Sequence, residues 1–209
     1  MTLDKLRPVA DRALAPFVRA ADRVGLTPDG ISIVAFGFAA LAAGAYTLGG
    51  AAVAGVGPRQ ELYLLGAVFV FVNGWLDLLD GALARLQGTD SMAGDLLDHV
   101  LDRYADIVII AGLAAGTTEY LLGFLAVTGV VMTSYLGTQA QAVGLERVYG
   151  GLVGRADRLA IIGATTVATA VYPSELYGLT LVGWLLVFLA VVGHLTALQR
   201  FYYSMAALD

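Results

Sequence analysis

Long apolar runs separated by short polar turns are the dominant pattern along this chain of 209 residues. A helix of about 20 mostly apolar residues can cross a membrane, and several runs approach that length. They lie at about 31–49, 61–80, 96–115, 119–139, 157–173 and 176–199. The pattern therefore predicts an all-α integral membrane protein with six transmembrane helices, in a single domain that covers residues 1–209.

The first 23 residues have a different pattern. Basic side chains alternate with apolar ones at roughly helical spacing, and the segment lacks the continuous apolar core of a signal peptide. This is typical of an amphipathic helix that lies on the membrane surface. A solvated helix that caps the bundle is the alternative.

Composition supports the membrane interpretation. Charged residues make up 14% of the chain and hydrophobic residues 58%, whereas an average soluble domain carries about 25% charged residues. The chain has no cysteine, which excludes a disulfide framework and a thiolate metal site. No nucleic-acid partner is expected.

Basic residues predict the orientation, because Lys and Arg near helix ends stay on the cytoplasmic side. If both termini are cytoplasmic and there are six spans, only Arg59 would lie outside. The basic residues that would then lie inside are Lys5, Arg7, Arg12, Arg19, Arg23, Arg85, Arg147, Arg155, Arg158 and Arg200. We therefore expect a multi-pass protein of the cell membrane whose functional site faces the cytoplasm.

Acidic residues cluster where the second and third spans meet the cytoplasm. Asp77 and Asp80 are three residues apart, and Asp98 and Asp102 are four apart, so each pair shares one helix face. Two adjacent helices could thus present four carboxylates to one point. Each would cost several kcal/mol if it were ionised without compensation, so a cationic partner is required.

A divalent metal is the partner that this cluster favours. Two nearby arginines, Arg85 and Arg103, cannot satisfy four carboxylates. Oxygen ligands without clustered His or Cys favour Mg²⁺ or Mn²⁺ over zinc. Such ions are often completed by substrate phosphates, and a pair of them promotes displacement at phosphorus. The alternative is a cation transporter, because carboxylates inside a membrane also line ion pathways.

Small residues interrupt the same two helices. Gly81, Ala84 and Gly94 stand where larger apolar residues would build a better helix, and a helical glycine costs about 1 kcal/mol. A flat ligand that approaches the backbone would account for that cost. Arg85, one turn from Gly81, could then bind a phosphate with two hydrogen bonds.

Written out, the stretch is Asp77-x2-Asp80-Gly81-x2-Ala84-Arg85-x8-Gly94-x3-Asp98-x3-Asp102, which resembles the signature of the CDP-alcohol phosphotransferase family. The resemblance implies that the four aspartates hold two divalent cations and that Asp102 is also the general base. It implies a CDP-binding set that comprises Asp29, Ser32, Gly81, Ala84, Arg85, Ser91 and Gly94. Asp29 and Ser32 belong to "GLTPDGIS", which is similar to the family's entry into the first span.

The family reaction follows from the resemblance. An acceptor hydroxyl, deprotonated by Asp102, would attack the β-phosphorus of CDP-archaeol or CDP-diacylglycerol, and CMP would leave. The family also implies a homodimer, which small residues such as Ala39 and Ala43 could support through close helix packing. A catalytically inactive scaffold that retains the motif is a further alternative.

The acceptor is predicted from the loop after the fourth span. "GRADRLAIIG" is similar to a segment of the family branch that uses inositol phosphate, which implies that Arg155 and Arg158 bind an acceptor phosphate, with Tyr135 beside them. Gly137 stands where that branch has a basic residue, so glycerol phosphate is the alternative acceptor. The same arginines would also serve simply to set the topology.

Two further carboxylates lie near the motif but outside it. Asp95 and Asp106 extend the acidic face of the third span. Each is predicted to be a helix-end carboxylate or an ion-pair partner, for instance of Arg103, and not a metal ligand.

Overall fold

The computed structural model describes residues 7–53, 55, 57–89, 91–145, 151 and 153–208, with side chains from residue 13 onward. Helices account for most of this part of the chain. They are α1 (Arg7–Arg23), α2 (Pro28–Gly50), α3 (Glu61–Gln87), α4 (Met92–Thr117), α5 (Tyr120–Ala142), α6 (Arg155–Val171) and α7 (Leu181–Leu208). A short antiparallel hairpin of β1 (Glu175–Leu176) and β2 (Leu179–Thr180) precedes α7. The all-α prediction is confirmed.

The helices pack around one apolar core. Helix α2 lies against α3 and α4, α5 lies against α7, and α6 packs on α3. Tyr46, Ile109, Leu113 and Leu186 are completely buried at the centre of this core. The charged residues of α4 end at Asp106, and the apolar residues that follow pack into this core.

Glycines allow α2 and α4 to touch along their backbones. A Cβ atom on Gly112 would lie 2.5 Å from Cα of Ala43, and one on Gly116 would overlap the carbonyl oxygen of Tyr46. Ala39, four residues before Ala43, is also fully buried. The small residues of the first span therefore pack closely, but the contact at Ala43 is with α4 of the same chain and not with a second copy.

Replacing Gly112 with alanine should lower the stability of the protein by roughly 1–3 kcal/mol. The added methyl group would overlap the backbone at Ala43, which cannot move without separating α2 from α4. Thermal unfolding of the purified protein in detergent measures the effect. Gly44→Ala is the matched control, because a Cβ there meets nothing within 4 Å; equal losses in the two variants would contradict the prediction.

Helix α1 is amphipathic, as predicted. Leu14, Val18 and Ala21 are buried along one of its faces and form a second apolar cluster with Leu79 and Leu83 of α3. The helix is thereby attached to the end of α3 that carries the acidic motif. Its place on a membrane surface stays a prediction.

Four helices, α2, α3, α5 and α7, are long and apolar enough to cross a membrane. They correspond to the first, second, fourth and sixth predicted spans. The other two predicted spans also form helices, but α4 carries Asp102, Arg103 and Asp106 within its best apolar stretch, and α6 has only 17 residues. The six-span prediction therefore has direct support for four spans.

The start predicted for the last span is wrong. Residues 175–180 form the β1–β2 hairpin, whose two turn residues, Tyr177 and Gly178, have φ angles of +52° and +78°. Positive φ at both positions is the geometry of a tight two-residue hairpin turn. Helix α7 begins only at Leu181, where the Thr180 hydroxyl accepts a hydrogen bond of 3.1 Å from the backbone N–H of Gly183. Hydropathy did not detect this turn because the apolar residues continue through it.

Candidate active site

Three of the predicted metal ligands converge between α3 and α4. Asp77, Asp98 and Asp102 each offer a carboxylate oxygen within 4.8 Å of the others. Helix geometry brings Asp98 and Asp102 to one face of α4, and the packing of both helices against α2 brings Asp77 opposite them. These side chains line a cavity that also contains Asp80 and Arg155.

Asp80 lies in the same cavity but has its own partners. Its Oδ2 accepts a hydrogen bond of 2.6 Å from the Ser32 hydroxyl, and its Oδ1 accepts one of 2.6 Å from the backbone N–H of Gly81. Only 5% of Asp80 is exposed, and buried carboxylates need such donors. The structure therefore brings three predicted ligands together and holds the fourth beside them, with Ser32 on its carboxylate.

Arg155 is the cation that the structure places on the acidic cluster. This residue begins α6, and its Nη1 lies 2.6 Å from Asp77 while its Nη2 lies 2.8 Å from Asp102. One guanidinium thus bridges α3 and α4. The sequence predicted Arg155 to be an acceptor-phosphate ligand, and the structure places it directly against two predicted metal ligands.

A second ion-pair network lies one turn further along α6. Asp106, which is 2% exposed, has its Oδ2 2.5 Å from Nη2 of Arg158 and 3.2 Å from Nη1 of Arg103. Arg103 also donates a hydrogen bond to Ser134 of α5 and lies 3.6 Å from Asp102. The predicted pairing of Asp106 with Arg103 is confirmed. Arg158 is an additional partner that the sequence did not predict.

The residues predicted to bind CDP lie around the starts of α2 and α4 and along α3. A Cβ on Gly94 would lie 3.3 Å from the Ser91 hydroxyl and 3.5 Å from Oδ1 of Asp29, so these three residues are neighbours. Ser91 also caps α4 by accepting a hydrogen bond of 3.0 Å from the backbone N–H of Gly94. Ser32 lies one turn into α2, where its hydroxyl contacts the carbonyl oxygen of Pro28 and the carboxylate of Asp80.

On α3, the Arg85 guanidinium lies over Gly81. Its Nη1 is 3.5 Å from the point that a Cβ on Gly81 would occupy. Arg85 is exposed, and Ala84 beside it is half-buried. The exposed face of α3 thus carries Arg85 beside two small residues, Gly81 and Ala84.

The remaining predicted residues have separate positions. Tyr135 is 52% exposed on α5, next to the serine that binds Arg103. Asp95 is exposed in the first turn of α4, which confirms it as a helix-end carboxylate. Arg147 lies outside the described residues.

Sequence reasoning missed two buried polar residues. Asn73 is 1% exposed, lines the acidic cavity and donates a hydrogen bond of 2.9 Å to the carbonyl oxygen of Ala35. Its position one turn before Asp77 in an apolar run was the available signal. Arg200 is buried and donates a hydrogen bond of 2.6 Å to the carbonyl oxygen of Thr133, and nothing in the sequence distinguished it from a helix-end arginine.

The chemistry of the donor set fits a divalent metal. All of the converging side chains are carboxylates, and Mg²⁺ and Mn²⁺ prefer oxygen ligands. Their oxygens lie close enough together to share one ion. The uncharged polar side chains that line the same cavity, Ser32 and Asn73, contain oxygen and nitrogen and no sulfur.

Comparison with known proteins agrees with this site. Residues 25–196 match the CDP-alcohol phosphatidyltransferase family. The chain is 32% identical over 206 residues to the archaetidylinositol phosphate synthase of Methanothermobacter thermautotrophicus, across 96% of this chain and 93% of that one. It is also 32% identical to the phosphatidylinositol phosphate synthase of Mycobacterium tuberculosis, across 95% of this chain and 89% of that one.

The chain therefore belongs to the CDP-alcohol phosphatidyltransferase family, as its motif predicted. It is a transferase of phospholipid biosynthesis, and it acts in a membrane with a divalent metal as cofactor.

Solved structures show the same fold. The phosphatidylinositol phosphate synthase of Mycobacterium tuberculosis in complex with manganese and citrate superposes with a TM-score of 0.76 at 25% identity, covering 92% of this chain and 88% of that one. The same enzyme with CDP-DAG bound gives a TM-score of 0.74 at 26% identity, covering 92% and 94%.

Proposed function

We propose that the protein transfers the phosphatidyl or archaetidyl group of a CDP-activated lipid to inositol 1-phosphate and releases CMP. The observation that carries this proposal is the convergence of Asp77, Asp98 and Asp102 within 4.8 Å, with two arginines of α6 beside them. Carboxylates suit the metals that bind a diphosphate, and arginines suit the phosphate of an acceptor. The names of the archaeal and bacterial relatives support the same acceptor.

Asp77, Asp80, Asp98 and Asp102 would hold two divalent cations. When bound, such a pair supplies positive charge to the attacking and leaving oxygens of a displacement at phosphorus. The hydrogen bonds from Ser32 and from the backbone of Gly81 to Asp80 fix one carboxylate in advance, which reduces the ordering that metal binding requires.

Asp102 would act as the general base. It faces the cavity between Arg155 and Arg103, which lie 2.8 Å and 3.6 Å from its two oxygens. In the reaction, the acceptor hydroxyl loses its proton to Asp102 and its oxygen bonds to the β-phosphorus of the donor. The bond from that phosphorus to the bridging oxygen breaks, and the electron pair leaves with CMP.

The CDP moiety would lie against the starts of α2 and α4 and along α3. Asp29, Ser91 and Gly94 are neighbours there, and the two glycines of the motif allow the nucleotide to approach the backbone. Arg85 on α3 would bind the diphosphate with two hydrogen bonds. Ala84 would shape the cytidine pocket beside it.

The acceptor phosphate would bind at the start of α6. Arg155 faces the acidic cavity. Arg158 is buried on the same helix, where it is paired with Asp106. Tyr135 would complete this site from α5. Gly137 contributes no side chain and is buried on α5. That missing cation is the observation that favours glycerol phosphate, a smaller acceptor, as the second candidate.

The membrane arrangement is also part of this proposal. We infer that α4 and α6 span the membrane with the four apolar helices, since the burial of their charges in ion pairs reduces the cost of insertion. Both termini and the acidic cavity would then face the cytoplasm of a cell membrane, where the cavity meets lipid donor and polar acceptor. Two copies of the chain would form a homodimer.

An assay of CMP release tests the function. Purified protein is given CDP-archaeol or CDP-diacylglycerol with Mg²⁺ or Mn²⁺, and inositol 1-phosphate, glycerol 1-phosphate, glycerol 3-phosphate, serine and free inositol are offered separately. Turnover with inositol 1-phosphate alone is expected, and chelation of the metal with EDTA should abolish it reversibly.

Other outcomes of this assay have distinct meanings. Turnover with a glycerol phosphate would overturn the acceptor and leave the reaction intact. Metal binding without CMP release from either donor would support the inactive scaffold. Cation uptake into proteoliposomes that contain no CDP-lipid would support the transporter.

A further inference from the structure

We propose that Arg155 and a divalent cation exclude each other from the carboxylates of Asp77 and Asp102, so that metal loading releases the Arg155 guanidinium toward an anionic substrate group. Competition between Arg155 and the metal depends only on the metal site. The last step, in which the released Arg155 guanidinium binds a substrate phosphate, rests on the proposed function.

The contacts of Arg155 place it on the metal ligands themselves. Its two terminal nitrogens lie 2.6 Å from Oδ1 of Asp77 and 2.8 Å from Oδ1 of Asp102. These are two of the three side chains whose oxygens converge within 4.8 Å. A metal ion and an arginine hydrogen bond both use carboxylate lone pairs. Arg155 already occupies one oxygen of each of these two carboxylates, so the metal ion and the guanidinium compete for the same two side chains.

The charge balance of the site favours release of Arg155 from the aspartates once the metal ions have bound. Without metal, Arg155 offsets part of the negative charge of Asp77, Asp80, Asp98 and Asp102. Two divalent cations would neutralise all four carboxylates, and the guanidinium would then face positive ions at short range. Repulsion at that distance is strong inside a protein, where the effective dielectric is low. The loaded site thus favours an Arg155 that has turned away and is available to a phosphate.

Arg158 provides an internal contrast on the same helix. It lies one turn after Arg155 and is bound to Asp106 at 2.5 Å, a carboxylate that is not among the converging ligands. Metal binding leaves this pair unchanged. The first turn of α6 therefore stays attached to α4 through Arg158 while the Arg155 side chain changes partners.

The test measures Mn²⁺ binding to the purified full-length chain without nucleotide, lipid donor or acceptor. Free Mn²⁺ is followed by its paramagnetic resonance signal in the native protein and in Arg155→Gln, Arg155→Lys and Arg158→Gln. Arg155→Gln should bind Mn²⁺ about tenfold more tightly than the native protein, within the range of ordinary coupling between sites. Arg155→Lys, which keeps the charge but cannot bridge two carboxylates, should bind several-fold more tightly. Arg158→Gln should stay within about twofold, because its partner is not a ligand.

Two results would overturn the proposal. One is Mn²⁺ binding by Arg155→Gln that is equal to or weaker than that of the native protein. The other is a lysine variant that matches the native protein while both glutamine variants gain equally, since the effect would then be long-range charge alone.

A measurement on the native protein keeps the proposal testable even if the variants do not fold. Arginine modification by phenylglyoxal is followed by mass spectrometry of the peptides that contain Arg155 and Arg158. Mn²⁺ should accelerate modification of Arg155 and leave Arg158 unchanged; protection of Arg155, or no change, would refute the exchange. Because neither measurement requires CMP release, failure of the proposed reaction would not be mistaken for failure of this inference.

Discussion

Asp102→Asn should reduce CMP release by about 10³-fold, a typical contribution of a general base. The amide cannot take the proton of the acceptor hydroxyl, and it is a poorer metal ligand than the carboxylate. It has nearly the same shape, and its amide oxygen can still accept the hydrogen bond that Arg155 donates at 2.8 Å. The packing of α4 should therefore survive. Initial rates with saturating metal and acceptor measure the effect.

Asp95→Asn is the matched control for this prediction. It makes the same chemical change on the same helix, at an exposed position in the first turn, and should change the rate by less than about twofold. If Asp102→Asn retained a tenth or more of the native rate, another residue would have to serve as the base. If both variants were inactive, the loss would come from α4 as a whole and not from proton transfer.

Asp106→Asn should destabilise the protein by about 3–5 kcal/mol, the cost of removing one partner of a buried ion pair. Asp106 is 2% exposed and contacts both Arg158 and Arg103. Its loss would remove the carboxylate that pairs with the buried Arg158 guanidinium, and one of the two carboxylates beside Arg103. Thermal unfolding of the purified protein in detergent should show a clearly lower midpoint.

A double variant separates charge from packing. When Asp106→Leu is combined with Arg158→Met, both charges are removed and similar volumes remain, and replacement of a buried pair by apolar residues is often neutral. The double variant should recover most of the stability lost in Asp106→Asn. If it were as unstable as the single variant, the shape of the network, and not its charge balance, would be what stabilises this end of α4.

The spacing of the acidic residues predicted most of the site. Asp98 and Asp102 are four residues apart, and helix geometry alone brings them to one face. What spacing could not predict is which carboxylates meet. Ser32, 48 residues before Asp80, binds that carboxylate, and this contact depends on how α2 is rotated against α3.

The ion-pair partners of the two arginines of α6 also could not be predicted from the sequence. Arg155 and Arg158 were correctly placed near the site, but their carboxylate partners lie on other helices and are fixed only when α6 packs beside α3 and α4.

The hairpin before α7 was missed for a different reason. Hydropathy reports how apolar a segment is and not how its backbone turns, and Tyr177 adopts a positive φ angle that few residues other than glycine prefer.

The glycine contacts between α2 and α4 set the tilt of α4. Gly112 touches the backbone of Ala43, and Asp102 lies about 15 Å away from Gly112 along the helix axis. A rotation of α4 by about 4° about this contact would move Asp102 by about 1 Å, and a misplacement of that size can cost on the order of 10²-fold in rate. Sequence changes at this remote glycine should therefore damage turnover well before they unfold the chain.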